Sequence, residues 1–446
     1  MTRTDRSGRE GSHSGWTQAR AEEHLRSVEL FGMRFGLDRM RRMMTVLGAP
    51  QSRFDAIHVV DTNGKSSTTR MIAAILERQG LRTGTYTSPH LVSYRERVQI
   101  GEREIEGDAF AEAVARAVWA AERVNRTLGE DDHVTQFELL TAAAFWEMAE
   151  REVQVAVVEA GLGGRYDATS VVESQVTVLT NVGLEHTRWL GPTVTDIAEE
   201  KVAVLREGTT LVLGADLHAD ARAVAERVAG ERDATIVTAP AEPFAGRLLA
   251  RGEFQRRNFA LARAAAQAYA RSSPGRGGGA LEPAVGAAAE STAVPGRLQV
   301  ISEDPLTVLD GAHNPHAVTA LMESLPAVIE GRPLALVLGV LEDKDAASML
   351  AGLLSVSDRA WFTAPPSGRA LSPGALQSLA RQLGFDAAVT EPRPARALEE
   401  ARRWARAQDG AVLVTGSVYL VGELMGAVDG SGSVSGRAGG LEGEKR

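Results

Sequence analysis

Residues 56–68 read Ala56-Ile-His-Val-Val60 and then Asp61-Thr-Asn-Gly-Lys-Ser-Ser-Thr68. The first five form a short apolar run of the kind that makes a strand. A helical pattern follows from Ser67 to Gln79, with Gly80 as its stop signal. Between the two sits Gly-Lys-Ser. A glycine lets the main chain approach phosphate oxygens, and a helix N-terminus offers free N–H groups. Lys65 brings positive charge, and Ser66 or Ser67 can turn a hydroxyl toward magnesium. The spacing departs from GxxxxGK[ST], because the first glycine would fall on Val59. A bare Gly-Lys-Ser also suits an ordinary turn. The strand before it and the helix after it favour a phosphate loop.

Working outward, the pattern repeats. Arg82 to Thr87, Val153 to Val158 and Gln175 to Leu179 read as further strands, separated by helical stretches. Such alternation predicts a parallel sheet covered by helices. Ser88 follows the second strand, Glu159 ends the third, and Asn181 and His186 follow the fourth. Open parallel sheets bind ligands beyond the carboxyl ends of their strands, which brings these groups to the edge that carries the phosphate loop. Hard oxygen ligands with one imidazole suit Mg²⁺ held between protein and nucleotide. Taken singly, each has a plainer reading: Ser88 as a turn residue before Pro89, Glu159 and His186 as solvated or core groups. Their shared position favours a site.

The C-terminal part restarts the pattern with strand candidates at Thr307–Leu309, Leu334–Leu338, Ala360–Phe362 and Ala411–Val414. Asp310-Gly-Ala-His-Asn-Pro315 follows the first directly. Its acid can hold a ribose hydroxyl or orient a cation, and His313 can approach a terminal phosphate. Asn314 with Pro315 equally reads as a helix start, and the two readings are compatible. Pro295-Gly-Arg297 offers a phosphate or base contact, or serves the hinge. The expected organisation is a tail at 1–15, a first domain at 16–293 whose residues 272–293 are a Gly/Pro/Ala-rich connection, a second domain at 294–428, and a disordered tail at 429–446.

Composition bounds the function. The 446 residues suffice for two or three compact domains, and the net charge of -9 disfavours nucleic acid as a partner. With no cysteine, disulfides, thiolate metal sites and cysteine nucleophiles are excluded. No apolar run approaches the roughly 20 residues of a membrane span, and residues 1–14 lack a secretory apolar region. The expectation is a soluble cytoplasmic monomer without membrane or nucleic-acid partners.

Together the motifs resemble the folylpolyglutamate synthase/dihydrofolate synthase branch of the Mur ligase superfamily. The stretches that carry the likeness are DTNGKSS, YTSPHL, TQFE, VVEAGLGGRYDAT, TNVGLEHTRWLG, IAEEK, VPGRLQV, LDGAHNPHA, GVLEDKD and TGSVYLVGE, from about Phe35 to about Leu424. The resemblance implies an α/β chain, with an N-terminal P-loop-type parallel-sheet ATPase domain and a smaller Rossmann-like C-terminal glutamate-ligase domain. It implies ATP-dependent addition of L-glutamate to a folate or dihydropteroate through an acyl phosphate.

The resemblance also implies roles for residues. Asn63, Gly64, Lys65, Ser66 and Ser67 match the phosphate loop, and Asn258, Arg297 and Asp310 match nucleotide contacts. Ser88, Glu159, His186 and a carbamylated Lys201 match the holders of two Mg²⁺ ions. Gln136 and Phe137, with Leu162, Gly163, Gly164 and Arg165, match the pterin pocket. Lys65, Lys201, Asp310 and His313 are the expected catalytic groups.

Two positions depart from the family. Ser66 replaces a common glycine, a change other ligases of the superfamily share. Asp61 stands where the family usually has glycine, which sets a negative charge at the mouth of the phosphate loop and would strain any positive φ there. Two rival functions are a ligase for a cell-wall nucleotide precursor and a nucleotide-binding regulator that lost ligation through Asp61. TQFE and LGGRYDAT favour folate over the first. The retained Ser88, Glu159, His186 and Lys201 speak against the second.

Overall fold

The computed structural model describes residues 15–28, 36–130, 132–273, 275–276 and 279–431. The segments expected as tails lie outside these residues, apart from Gly15 and residues 429–431, which complete the helix Val418–Ser431. The chain divides into two units. One comprises residues 1–88, 94–240 and 261–288, the other residues 89–93, 241–260 and 289–446. No described helix is long and apolar enough to cross a membrane.

The first unit is built on eight strands: β1 Asp55–Val60, β2 Thr83–Tyr86, β3 Val98–Ile100, β4 Arg103–Glu104, β5 Val155–Glu159, β6 Ser174–Leu179, β7 Thr210–Leu213 and β8 Thr235–Thr238. Their order is β4-β3-β2-β5-β1-β6-β7-β8. From β2 to β8 every pairing is parallel, and β3 and β4 close one edge antiparallel. The continuous apolar runs of β1 and β5 are the reason both are central: each is buried on its two faces, as a parallel sheet with helices above and below requires. On one side the helices Gly107–Asn125 and Gln136–Glu150 pack through small side chains, among them Ala113, Ala117, Ala143 and Ala144. Near β6 and β7 the helices Val194–Val202 and Ala219–Glu231 bury Ile197, Ala198, Ala221 and Ala225.

The second unit carries six strands: β9 Gln299–Glu303, β10 Leu306–Leu309, β11 Leu334–Leu338, β12 Arg359–Phe362, β13 Ala388–Thr390 and β14 Ala411–Thr415. The order is β13-β12-β11-β14-β10-β9, parallel except for β9. This is the expected doubly wound arrangement.

The stretch 272–293 differs from expectation. Leu281–Ser291 is a helix that buries Ala284, Val285, Ala288 and Ala289. Its composition looked too poor to pack, yet alanine is the strongest helix former and needs little partner volume. The boundary near Val294 also misses residues 89–93 and 241–260, which belong with the second unit. Leu249 N–H donates to the Ala289 carbonyl at 2.8 Å, Glu253 N–H donates to Ser324 Oγ at 3.0 Å, and a Cβ on Gly422 would fall 2.0 Å from the Leu91 carbonyl oxygen. These are contacts between distant stretches, which a composition change along the chain does not register.

One close approach sets the end of β6. A Cβ on Gly214, just after β7, would stand 2.0 Å from the Thr180 carbonyl oxygen, while Gly214 N–H bonds to Leu179 O at 2.9 Å. Gly214→Ala should therefore cost about 1–3 kcal/mol in urea unfolding, the usual penalty of overpacking. Unchanged stability would show that this turn yields without strain.

Candidate active site

The register of the central strands brings four chain ends to one edge. Val59 pairs with Glu159, Val60 with Leu179, and Tyr86 with Val158, so the loops that follow β1, β5, β6 and β2 emerge side by side. Gly64, at φ 98°, makes the left-handed turn from β1 into the helix Lys65–Arg78, a geometry that favours glycine. The loop after β6 fastens this turn. Thr62 N–H donates to Asn181 O at 3.1 Å, Asn63 N–H to Asn181 Oδ1 at 3.1 Å, and Thr62 Oγ1 bonds to the main chain of Gly183.

Asp61 does not sit at the mouth of the loop. Its carboxylate is fully buried, Oδ1 lies 3.0 Å from Lys65 Nζ, and Oδ2 accepts from the Thr180 hydroxyl. Nor is it strained, since Asp61 is absent from the residues with positive φ. Lys65 also donates to the carbonyls of Asp61 at 3.1 Å and Thr62 at 3.4 Å. Burial works against its ammonium, but Asp61, Glu159 and Glu185 outweigh that and raise its pKa.

Glu159, at the end of β5, collects the expected hydroxyl residues. Ser66 Oγ donates to Oε1 at 2.9 Å and the Ser88 N–H donates to Oε2 at 3.0 Å. Even with these bonds and Lys65 nearby, burial pushes the Glu159 carboxyl up to about 7. Ser67 is buried in the first turn of the same helix. Lys201 enters from the helix Val194–Val202, which the Thr193/Asp196 capping box starts, and its Nζ donates to the Asp61 carbonyl. It is 3 % exposed, and burial, with Lys65 adding to it, lowers its pKa to about 7. His186 occupies the left-handed N-cap of the short helix Thr187–Leu190, with Nε2 3.8 Å from Glu185 Oε1. Glu185 in turn acts on Lys65 and Lys201 by charge. Sequence reasoning passed over Glu185 and Thr180. The only signals were the acid next to His186 and the hydroxyl directly after β6.

Could these residues hold a divalent ion? Among the described residues no three His, Asp or Glu side chains cluster as a ready metal site. The expected set contains only two such residues, and the remaining donors are a hydroxyl and a modified lysine. The residues do fit a hard cation. Glu159 is a buried carboxyl whose charged form burial disfavours and a cation would restore, and Ser66 Oγ and the Ser88 main chain stand beside it.

The stretch expected to meet a pterin lies on the same unit. Gln136 is committed to structure: Nε2 donates to Leu25 O at 2.6 Å and to Tyr94 Oη at 3.4 Å. Phe137 is half-buried, its ring 6.1 Å from that of Tyr86 and pressed close to Gly161. Leu162 N–H donates to Asp167 Oδ2 at 2.8 Å, and a Cβ on Gly163 would lie 2.8 Å from Leu190 Cδ2. A Cβ on Gly164 would meet the Glu200 and Lys201 carbonyl oxygens at 2.7 Å, and Arg165 bonds to Glu200 by both main chain and side chain. The glycine loop is thus clamped onto the helix that carries Lys201.

In the second unit, Asp310 ends β10. Its buried carboxylate accepts from Leu298 N–H at 2.9 Å and Ala312 N–H at 2.8 Å. Burial raises its pKa, against the pull of Arg297 and those two bonds. Arg297 covers Gly311 so closely that a Cβ there would collide with its guanidinium. His313 Nδ1 bonds to Gly311 O at 2.9 Å. Asn314 caps the helix Pro315–Ser324 through Ala317 N–H at 2.8 Å, so the helix-start reading holds. Asn258 bonds to Gln255 at 3.1 Å within the helix Glu253–Ser272.

The two parallel sheets are those of a Mur ligase, a class that two domain matches show. Residues 61–262 match the Mur ligase middle domain and residues 296–418 the Mur ligase glutamate ligase domain. The folylpolyglutamate synthase of Lacticaseibacillus casei is 33% identical over 85% of this chain and 92% of its own length. Among solved structures, Mycobacterium tuberculosis folylpolyglutamate synthase complexed with ADP superposes with a TM-score of 0.84 at 29% identity, over 92% of this chain and 98% of that one. The bifunctional folylpolyglutamate synthase/dihydrofolate synthase of Yersinia pestis, complexed with AMPPNP and a Mn ion, gives a TM-score of 0.79 at 28% identity, over 94% and 100%. The chain belongs to the folylpolyglutamate synthase/dihydrofolate synthase family.

The Glu159 carboxyl gives a pH test. From about pH 4.5 to about 7 the folded protein keeps a proton that the unfolded chain has lost, so stability falls as pH rises. One such proton gives about 1.4 kcal/mol per pH unit. Glu159→Gln should remove this slope in urea melts run in EDTA. Magnesium at pH 7.5 should stabilise the wild type and leave the variant unmoved. A wild-type slope that survives the substitution would assign the titration elsewhere.

Proposed function

We propose that this chain uses ATP to join the amine of L-glutamate to the carboxylate of a folate, either a reduced folate or dihydropteroate. The observation that carries the reading is the convergence of Ser66 and the Ser88 main chain on buried Glu159, beside Lys65 at a strand-to-helix turn. The substrate carboxylate attacks the terminal phosphorus of ATP, ADP leaves, and an acyl phosphate forms. The glutamate amine then adds to the acyl carbon, loses a proton, and inorganic phosphate departs from the tetrahedral intermediate. No protein nucleophile is needed, consistent with a chain that has no cysteine.

The protein's part is placement and charge. The Lys65 ammonium, kept charged by Asp61, Glu159 and Glu185, faces the transferring phosphate and offsets its charge. The N–H groups at the start of the helix Lys65–Arg78 bind phosphate oxygens. Glu159, Ser66, Ser88 and His186 would hold Mg²⁺, which neutralises phosphate charge and orients the oxygens that react. Phe137 and the Leu162–Arg165 loop receive the pterin, while Gln136 supports them from beneath by its bonds to Leu25 and Tyr94. Asn258, Arg297, Asp310 and His313 serve the nucleotide and its terminal phosphate.

Lys201 completes the set as a carbamate. Its amine is buried, and burial brings its pKa to about 7, so much of it is neutral at cellular pH. The neutral nitrogen adds to CO₂ and releases a proton, which turns a cation into an anionic oxygen ligand.

Purified enzyme should release phosphate from ATP only when glutamate and a folate or dihydropteroate are both present. Turnover that instead requires a cell-wall nucleotide precursor would overturn the folate reading. Lys65→Ala should abolish turnover in a protein that still folds, with some loss of stability because the buried Asp61 carboxylate loses its counter-ion. Lys201→Ala should lose most activity and regain part of it with a short carboxylic acid added. Full activity in Lys201→Arg would refute the carbamate.

A further inference from the structure

The phosphate loop of this chain contains its own anion. Lys65 turns its ammonium inward: it donates to Asp61 O at 3.1 Å and Thr62 O at 3.4 Å, and it forms an ion pair with Asp61 Oδ1 at 3.0 Å. The Lys65 side chain is 17 % exposed, whereas that of Asp61 is 0 % exposed. The ammonium can therefore be reached from solvent while its counter-ion cannot leave. The Thr180 hydroxyl on Oδ2 fixes the carboxylate from the far side, and the Lys201 amine on the Asp61 carbonyl fixes its main chain. Thr180 Oγ1 and Asn181 also bond to the main chain of Asn63, so the loop that presents Asp61 is pinned at both ends.

We infer that Asp61 is a positioning residue for Lys65, a permanent carboxylate partner that holds the ammonium in place and competes with nucleotide phosphate for it, and so sets the affinity for ATP and ADP. The argument is electrostatic. A phosphate that approaches Lys65 competes with these contacts, and the 3.4 Å bond to Thr62 O is the weaker of the two hydrogen bonds. It also meets an ammonium whose charge is already balanced at short range by a carboxylate shielded from water, where charges interact more strongly than in solvent. The carboxylate makes ground-state binding weaker than an uncharged residue would. It leaves the lysine ordered for the transfer step, where the extra negative charge develops. The inference rests on the phosphate-loop reading of Lys65.

The test measures ADP, AMPPNP and AMP binding by calorimetry on the full chain, in the wild type, Asp61→Asn, Asp61→Gly and Lys65→Ala, with the KM for ATP and kcat alongside. Neutralising Asp61 should tighten ADP and AMPPNP about tenfold and lower the KM for ATP by a similar factor, while kcat falls severalfold because Lys65 loses the partner that orders it for transfer. AMP should bind as before within twofold, because it lacks the phosphates that a loop lysine reaches. A role confined to holding the loop together would weaken all three nucleotides or leave them unmoved, and either outcome overturns the inference. So would equal tightening of AMP. Should Asp61→Asn not fold, Asp61→Gly carries the same comparison. The two readings fail separately. Lys65→Ala binding ADP as tightly as the wild type would defeat the phosphate loop itself. A weakened Lys65→Ala beside unmoved Asp61 variants would defeat only the role of Asp61.

Discussion

Two lysines are buried within one turn of each other's partners, and the structure depends on how that is tolerated. An ammonium taken out of water costs several kcal/mol unless opposite charge and hydrogen bonds replace the solvent. Asp61 supplies both to Lys65, through its carboxylate and its carbonyl, and that carbonyl also receives Lys201. Lys65 gains enough from the surrounding acids to stay charged, whereas Lys201 does not. One residue type thus has its pKa raised at Lys65 and lowered to about 7 at Lys201. The difference follows from which of the two faces the carboxylate.

The rest of the site is arranged around that arrangement by main-chain packing. Glycine at 164 lets the loop after β5 lie on the carbonyls of Glu200 and Lys201, which packs the Leu162–Arg165 stretch directly against the helix that carries Lys201. Glycine at 214 lets the chain after β7 pass the Thr180 carbonyl, and Thr180 is the group that steadies Asp61. The candidate binding residues are therefore not independent contributions. A change in volume at either glycine reaches the lysines through rigid backbone. In the second unit the Asp310 carboxylate ties its own turn, through Ala312 N–H, to the segment before β9, through Leu298 N–H, and the Arg297 guanidinium lies against Gly311.

Much was legible in the linear chain. Apolar runs of five or six residues announced the central strands, because a strand buried on both faces has no room for polar side chains. The order strand, Gly-Lys-Ser, helix gave the phosphate loop, and Asn314-Pro315 gave a helix start, since both depend on neighbours in sequence. The family motifs added Lys201 and the pterin-facing stretch, which periodicity alone would not have picked out. Composition did not reveal that Leu281–Ser291, within the expected connection 272–293, is helical, because alanine packs with little partner volume.

What the sequence determined by itself was the class of each element, the location of the phosphate loop and the membership of the ligase family, all of which rest on local pattern. Only the tertiary structure decided the environment of each side chain. The sequence placed Asp61 at the mouth of the loop, facing phosphate; the fold turns it inward onto Lys65 and Thr180, 119 residues away. Nor did the sequence show the partners of Gln136, whose amide N–H groups donate to Leu25 O and Tyr94 Oη in the fold. The direction of a polar side chain is set by which partners the folded chain brings within hydrogen-bond reach. Those partners come from loops remote in sequence, whose convergence is a property of the assembled sheet.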